Sequence, residues 1–91
     1  MVVTVVLATA LRGMTGGAGS VDVEADNVHL ALRRLAERFP TFENRLLDDA
    51  GRVRRHVNMF VGERDIRGLG GLQTRLESGD ELLIIPAVAG G

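Results

Sequence analysis

Short stretches of alternating apolar and polar residues, each closed by glycine, aspartate or proline, set the layout of this chain. Val2 to Ala8 is an apolar run dominated by β-branched residues, and it stops at Arg12-Gly13 and the glycine-rich Gly13 to Gly19. That pattern predicts a strand followed by a turn. From Ser20 to Ala25 the chain alternates, with Val21, Val23 and Ala25 on one side and Asp22 and Glu24 on the other, which completes a hairpin. Asp26-Asn27 then offers capping side chains, and Val28, Leu32, Leu35, Ala36 and Phe39 recur at the period of one helix face until Pro40. Arg33, Arg34, Glu37 and Arg38 fall largely off that stripe, so the helix is amphipathic and lies on a sheet.

The second half is less regular. Thr41 to Arg55 is polar, with Leu46-Leu47 as its apolar anchor and Asp48-Asp49-Ala50-Gly51 as a turn signal, which predicts a short helical turn and a loop. Strand character returns at His56 to Val61. Gly62-Glu63 reads as a tight connection into a short strand at Arg64 to Arg67, and Gly68 to Gly71 as a further turn. Leu72 to Leu76 is a short apolar-anchored segment, and Ser78-Gly79-Asp80 is a turn before a last strand from Glu81 to Pro86. A strand pair, a crossover helix and further strands, with the first and last strands parallel at the sheet centre, make an α+β fold of the β-grasp, ubiquitin-like type. Its mixed sheet carries one main helix on one face. We place this domain at 1–86 and expect 87–91 to form a flexible tail ending in Gly-Gly.

Parity along the strands sets two faces. Val57, Met59 and Val61, with Leu82 and Ile84, point to the helix side, which leaves Phe60, Leu83 and Ile85 on a face that no remaining element covers. These three residues are the expected docking patch for a partner. A slip of one residue in register would reverse the assignment.

Composition narrows the function. With 45% hydrophobic and 25% charged residues in 91 positions, the chain suits a single globular domain. Such a domain buries roughly 60–65% of the surface it exposes when unfolded, which leaves little room for an enclosed active site. We therefore expect no enzyme. A net charge of -1, without Trp or Tyr, argues against a nucleic-acid partner. The apolar N-terminus lacks a basic leader and is shorter than the roughly 20 residues of a membrane span, so a cytoplasmic protein is expected. Cysteine is absent, which removes disulfides, thiolate metal sites and a cysteine nucleophile. All 11 basic residues are arginine, so there is no P-loop or Schiff-base lysine and no acceptor for isopeptide chains built on this protein.

Few side chains could carry chemistry. Gly13 to Gly19 lies between two strands and lacks the P-loop lysine, so it reads as a hairpin loop and not as a phosphate cradle. His29 and His56 have no cysteines or spaced carboxylates around them and make a poor metal site. Arg52, Arg54 and Arg55 form a basic cluster near Asp48 and Asp49 that reads as a solvated loop. What remains is the end of the chain: Pro86-Ala87-Val88-Ala89-Gly90-Gly91 has no large side chain after Ile85. Glycine, without a Cβ, lets backbone lie close to another protein, as a terminal carboxylate must if it is to reach deep into an ATP site.

The run Gly79-Asp80-Glu81-Leu82-Leu83-Ile84-Ile85-Pro86-Ala87-Val88-Ala89-Gly90-Gly91 resembles the ending of the MoaD/ThiS family of ubiquitin-like sulfur carriers. The resemblance extends to Leu11-Arg12, Thr15-Gly16-Gly17, Val57-Asn58, Asp65-Ile66-Arg67 and Gly70-Gly71-Leu72, and is greatest to the CysO type. It implies a cycle in which an adenylating enzyme of the ubiquitin-activating type, using ATP and magnesium, forms an acyl-adenylate at Gly91. A sulfurtransferase step then leaves a thiocarboxylate.

In the CysO type that thiocarboxylate attacks an aminoacrylate formed from O-phosphoserine on a pyridoxal-phosphate cysteine synthase, and a metalloprotease frees cysteine. The resemblance thus implies Gly91, with Gly90, as the reacting end. Phe60, Leu83, Ile85, Pro86, Ala87, Val88 and Ala89 would be partner-binding, and the carrier itself would hold no cofactor or metal. Alternative acceptors are a thiosugar synthase and the large subunit of molybdopterin synthase, for which this chain would be the small subunit. A ubiquitin-like protein modifier and a β-grasp interaction module with an inert tail are the readings from other classes.

Overall fold

Valines of the first three strands and the Leu-Ile run of the last, central strand build the inner face of the sheet. The computed structural model describes residues 1–86, apart from the Glu43 side chain. Strand β1 (Val2–Leu7) buries Val3, Val5 and Leu7 and turns Val2, Thr4 and Val6 to the other face. Strand β2 (Ser20–Glu24) pairs with it antiparallel, Val3 opposite Val23 and Val5 opposite Val21. The connection between them is more ordered than a bare turn. Thr9–Thr15 forms a 3₁₀ segment that ends at Gly16, whose φ of 71° is open to glycine at little cost. Thr15 is buried there, and its hydroxyl donates to carbonyls of Arg12 and Ala18.

Helix α1 (Val28–Arg38) starts at Asn27, whose side-chain oxygen accepts the Leu30 N–H at 2.7 Å. It buries Val28, Ala31, Leu32 and Leu35 against the sheet, while Ala36 and Phe39 are half-buried. The helix stops before Pro40, with the Phe39 N–H still bonded to Leu35 O. Helix α2 (Phe42–Leu46) follows. Phe42, 1% exposed, is a main core residue of this region, packed edge to face on Phe39 with ring centres 6.3 Å apart. The expected anchor Leu46-Leu47 is therefore incomplete: Phe42 and Leu46 are buried, and Leu47 is half-buried.

Strand β3 (Val57–Val61) leads through a two-residue turn into β4 (Arg64–Asp65). Gly62 takes φ 63° and Glu63 does not, the pattern of a type II′ hairpin turn. The expected strand to Arg67 is cut short, because the Asp65 carboxylate accepts the Arg67 N–H at 2.9 Å and starts a 3₁₀ turn that drives Ile66 into the core. Strand β5 (Glu81–Pro86) has the expected bounds. The sheet order is β2-β1-β5-β3-β4, with β1 and β5 parallel and every other pair antiparallel. This is a mixed β-grasp sheet with α1 on one face.

Candidate functional site

The site is built where β5 leaves the sheet. Ala8 donates its N–H to Ile84 O at 3.1 Å, the last rung tying β5 to the β1 side. In a parallel ladder the next rung would run from the N–H of residue 86 to Ala8 O. Pro86 has no N–H, and Ala8 O instead accepts the Leu11 N–H at 2.9 Å, opening the 3₁₀ segment. Residue type and local hydrogen bonding therefore end the β1–β5 ladder together. The expected site residues Ala87, Val88, Ala89, Gly90 and Gly91 lie outside the described residues.

On either side of this exit stands an arginine fixed to main chain. Arg12 Nε donates to Leu7 O at 3.2 Å, and its guanidinium lies over Gly19, where a Cβ would come within 3.1 Å of it. On the β3 side Arg67 donates to Val57 O at 3.1 Å and its Nη1 is 3.5 Å from Asp65. The short β4 does not reach Val57, so Arg67 satisfies an edge carbonyl that a longer strand would have paired.

The open face is read from the register. Leu83 stands opposite Val6 on one side and Phe60 on the other, and Ile85 stands opposite Asn58. Directly paired residues point to the same face. Phe60, Leu83 and Ile85 are each half-buried and lie on the face away from α1, while Val57, Met59, Leu82 and Ile84 are buried beneath it. Val61 shares their side but is only half-buried. Pro86 pairs with Val57, so it belongs to the helix side and does not join Leu83 and Ile85. Val6 belongs to the patch and was not among its expected members; its parity with Val2 and Thr4, opposite the buried Val3, Val5 and Leu7, is the signal for it. Toward the start of β5 the face turns polar, with Thr4 donating to Asp22 at 2.8 Å beside Glu81.

The remaining candidates lie apart. His29 lines a groove of about 480 Å³ between α1 and α2, with Leu32, Phe42, Leu46 and Leu47, and exposed His56 precedes β3. Among the described residues no group of His, Cys, Asp and Glu could hold a metal ion. Nor is any helix there long and apolar enough to cross a membrane. In the loop after α2, the Asp48 carboxylate accepts the N–H groups of Arg52 at 3.0 Å and Ala50 at 2.9 Å. The Arg52 bond above all holds its pKa below the ordinary 3.8. Arg54 reaches to Asn44 O at 2.7 Å, so the arginine cluster is tied down at this one point.

A mixed five-stranded sheet, one crossing helix, an uncovered apolar row and a proline at the end of the central strand define a ubiquitin-like β-grasp domain. The family model described as "ThiS family" matches residues 5–91. The chain belongs to the ThiS family. It is 40% identical, over an alignment of 93 residues covering 100% of both chains, to the sulfur carrier protein CysO of Mycobacterium tuberculosis. The CysO fold is matched in the BexX/CysO complex of Amycolatopsis orientalis, with a TM-score of 0.90, 37% identity, and 98% and 99% of the two chains covered. Small archaeal modifier protein 1 of Haloferax volcanii matches with a TM-score of 0.84 and 28% identity over 100% of each chain. The family resemblance and the fold expected from sequence both hold, and the chain is a homologue of a sulfur carrier protein.

Proposed function

We propose that the protein is a sulfur carrier of cysteine biosynthesis that presents its own C-terminus as the reacting group. The observation that carries this reading is the full-length relation to CysO, 40% identical with neither chain left uncovered. The fold supports it physically, since the central strand ends at a residue that cannot extend the sheet toward β1.

In the proposed cycle the Gly91 carboxylate attacks the α-phosphorus of ATP on an adenylating enzyme and pyrophosphate leaves. A sulfur nucleophile then displaces AMP from the acyl carbon, giving a thiocarboxylate with Gly90 beside it. ATP, magnesium and pyridoxal phosphate all belong to the partner enzymes. Val6, Phe60, Leu83 and Ile85 dock the domain while Ala87, Val88 and Ala89 enter the partner. The CysO of Amycolatopsis forms a complex with BexX, which supports a carrier that works by docking on a second protein. The acceptor is a cysteine synthase, with a metalloprotease releasing the product, and the compartment is the cytoplasm.

Intact mass measurement after incubation with ATP, an adenylating enzyme of the ubiquitin-activating class and a sulfide source tests this. The expected result is a gain equal to one oxygen replaced by one sulfur, lost when Gly91 is deleted. A competent enzyme that leaves the mass unchanged overturns the reading. Similarity to an archaeal modifier protein favours conjugation as the second reading, and an isopeptide to lysines of other proteins in the same reaction would establish it.

A further inference from the structure

The exit of the tail has a charge arrangement that nothing in the carrier chemistry requires. Arg12 and Arg67 sit on the two outer sides of the strands flanking β5. One is held by Leu7 O beside the Ile84 rung, the other by Val57 O opposite Pro86. Each spends one N–H on a backbone carbonyl. Arg67 also has Asp65 at 3.5 Å, and both guanidiniums keep N–H groups without an acceptor among the described residues. Adjacent strands are about 4.8 Å apart and both acceptor carbonyls face outward, so the guanidiniums stand roughly 15–20 Å from one another, too far to share one small anion. At the other end of the sheet Asp22, Glu24 and Glu81 lie on the side away from α1, with Glu24 paired to the N-terminal ammonium at 3.1 Å.

Resting on the reading that an adenylating enzyme takes up Gly91, we infer that Arg12 and Arg67 form a cationic bracket for the partner. The bracket receives two carboxylates on the rim of the channel into which the tail passes. A side chain already held at one N–H loses less rotamer entropy on pairing than a free one, and a charged rim speeds encounter and fixes orientation more than it deepens affinity. Two pinned cations set apart by the sheet accept only a partner whose carboxylates have matching spacing. Arg12 and Arg67 are thus positioning residues, outside the reacting atoms.

The test uses the full chain with an adenylating enzyme of the ubiquitin-activating class, following pyrophosphate release against carrier concentration at several ionic strengths. Replacing either arginine by Gln is expected to raise KM about threefold to tenfold with kcat within about twofold, because uniform binding is lost and the chemical step is not. KM of the natural chain should rise steeply with salt, and that of R12Q/R67Q should be nearly flat. Lysine at both positions should restore the salt slope. Gly19→Ala, which displaces the Arg12 guanidinium but keeps its charge, should raise KM by itself.

Equal salt slopes for the natural and doubly substituted chains, with both folded and loaded, overturn the bracket and leave the carrier reading standing. Failure of the natural chain to be loaded by a competent enzyme overturns both.

Discussion

Leu83 faces Phe60 across the β5–β3 ladder, on the side of the sheet that α1 does not cover, and Val6 completes the row from β1. All three are half-buried by their neighbours while the row stays open to an incoming surface. An apolar row across three strands costs little in isolation and becomes useful when another protein dries it.

Substituting Leu83 by Arg is expected to weaken binding to the adenylating enzyme by at least about tenfold, since a central apolar anchor at an interface is commonly worth about 2 kcal/mol or more. The same change should leave thermal unfolding within a few degrees, because the residue is not in the core. Titration calorimetry against the enzyme reads the first and circular dichroism the second. Unchanged affinity in a folded L83R chain would rule the row out as a docking surface.

Phe42→Ala should destabilise the fold by about 3–5 kcal/mol, the range for emptying the space of a buried aromatic ring. The loss falls on the packing of α2 against α1 and Phe39. Urea unfolding should show the midpoint moving with the slope unchanged. A shift below about 1 kcal/mol would mean that α2 repacks around the gap.

Asn27→Ala removes the acceptor of the Leu30 N–H and should cost about 1 kcal/mol, whereas Asn27→Asp should keep most of it. Comparing the two by denaturant unfolding separates the cap from side-chain size.

Asp48 offers a pH signature. Its carboxylate accepts two N–H bonds in the folded loop, so its folded pKa lies below the ordinary 3.8. A group with a depressed pKa favours the folded loop fully above the unfolded value, and loses that contribution as pH falls through the folded value. The carboxyl carbon shift of Asp48 should therefore titrate with a midpoint below 3.8, and Asp48→Asn should flatten the acid-side dependence of exchange at the Arg52 amide. A midpoint at or above the ordinary value contradicts the turn geometry.

Much of this was legible because a sheet covered on one face punishes a wrong parity. The alternation in Val57–Val61 and Glu81–Pro86 placed Met59 and Ile84 inside and Phe60 and Leu83 outside. Asn27 and Pro40 likewise bounded α1 through capping and proline chemistry. What escaped depends on contacts between distant segments. Phe42 has no periodic neighbours to mark it as core, and Ile66 enters the core only because the Asp65 turn interrupts β4. The 3₁₀ segment at Thr9–Thr15 leans on Ala8 O, a carbonyl that is available because residue 86 is proline. Leu11-Arg12 and Asp65-Ile66-Arg67 stood out as strings of letters, but their relation to the exit of β5 appears only when Leu7 O and Val57 O are seen as their acceptors.

The parallel pairing of β1 with β5 also bears on how the chain is made. Val5 waits for Leu82 and Leu7 for Ile84, so β1 acquires its central neighbour only after the other strands of the sheet have been made. A chain cut short before Glu81 lacks the middle of its sheet and cannot close its core. Folding therefore acts as an inspection: a domain able to offer Leu83 to a partner has already been built as far as the strand from which its last residues depart.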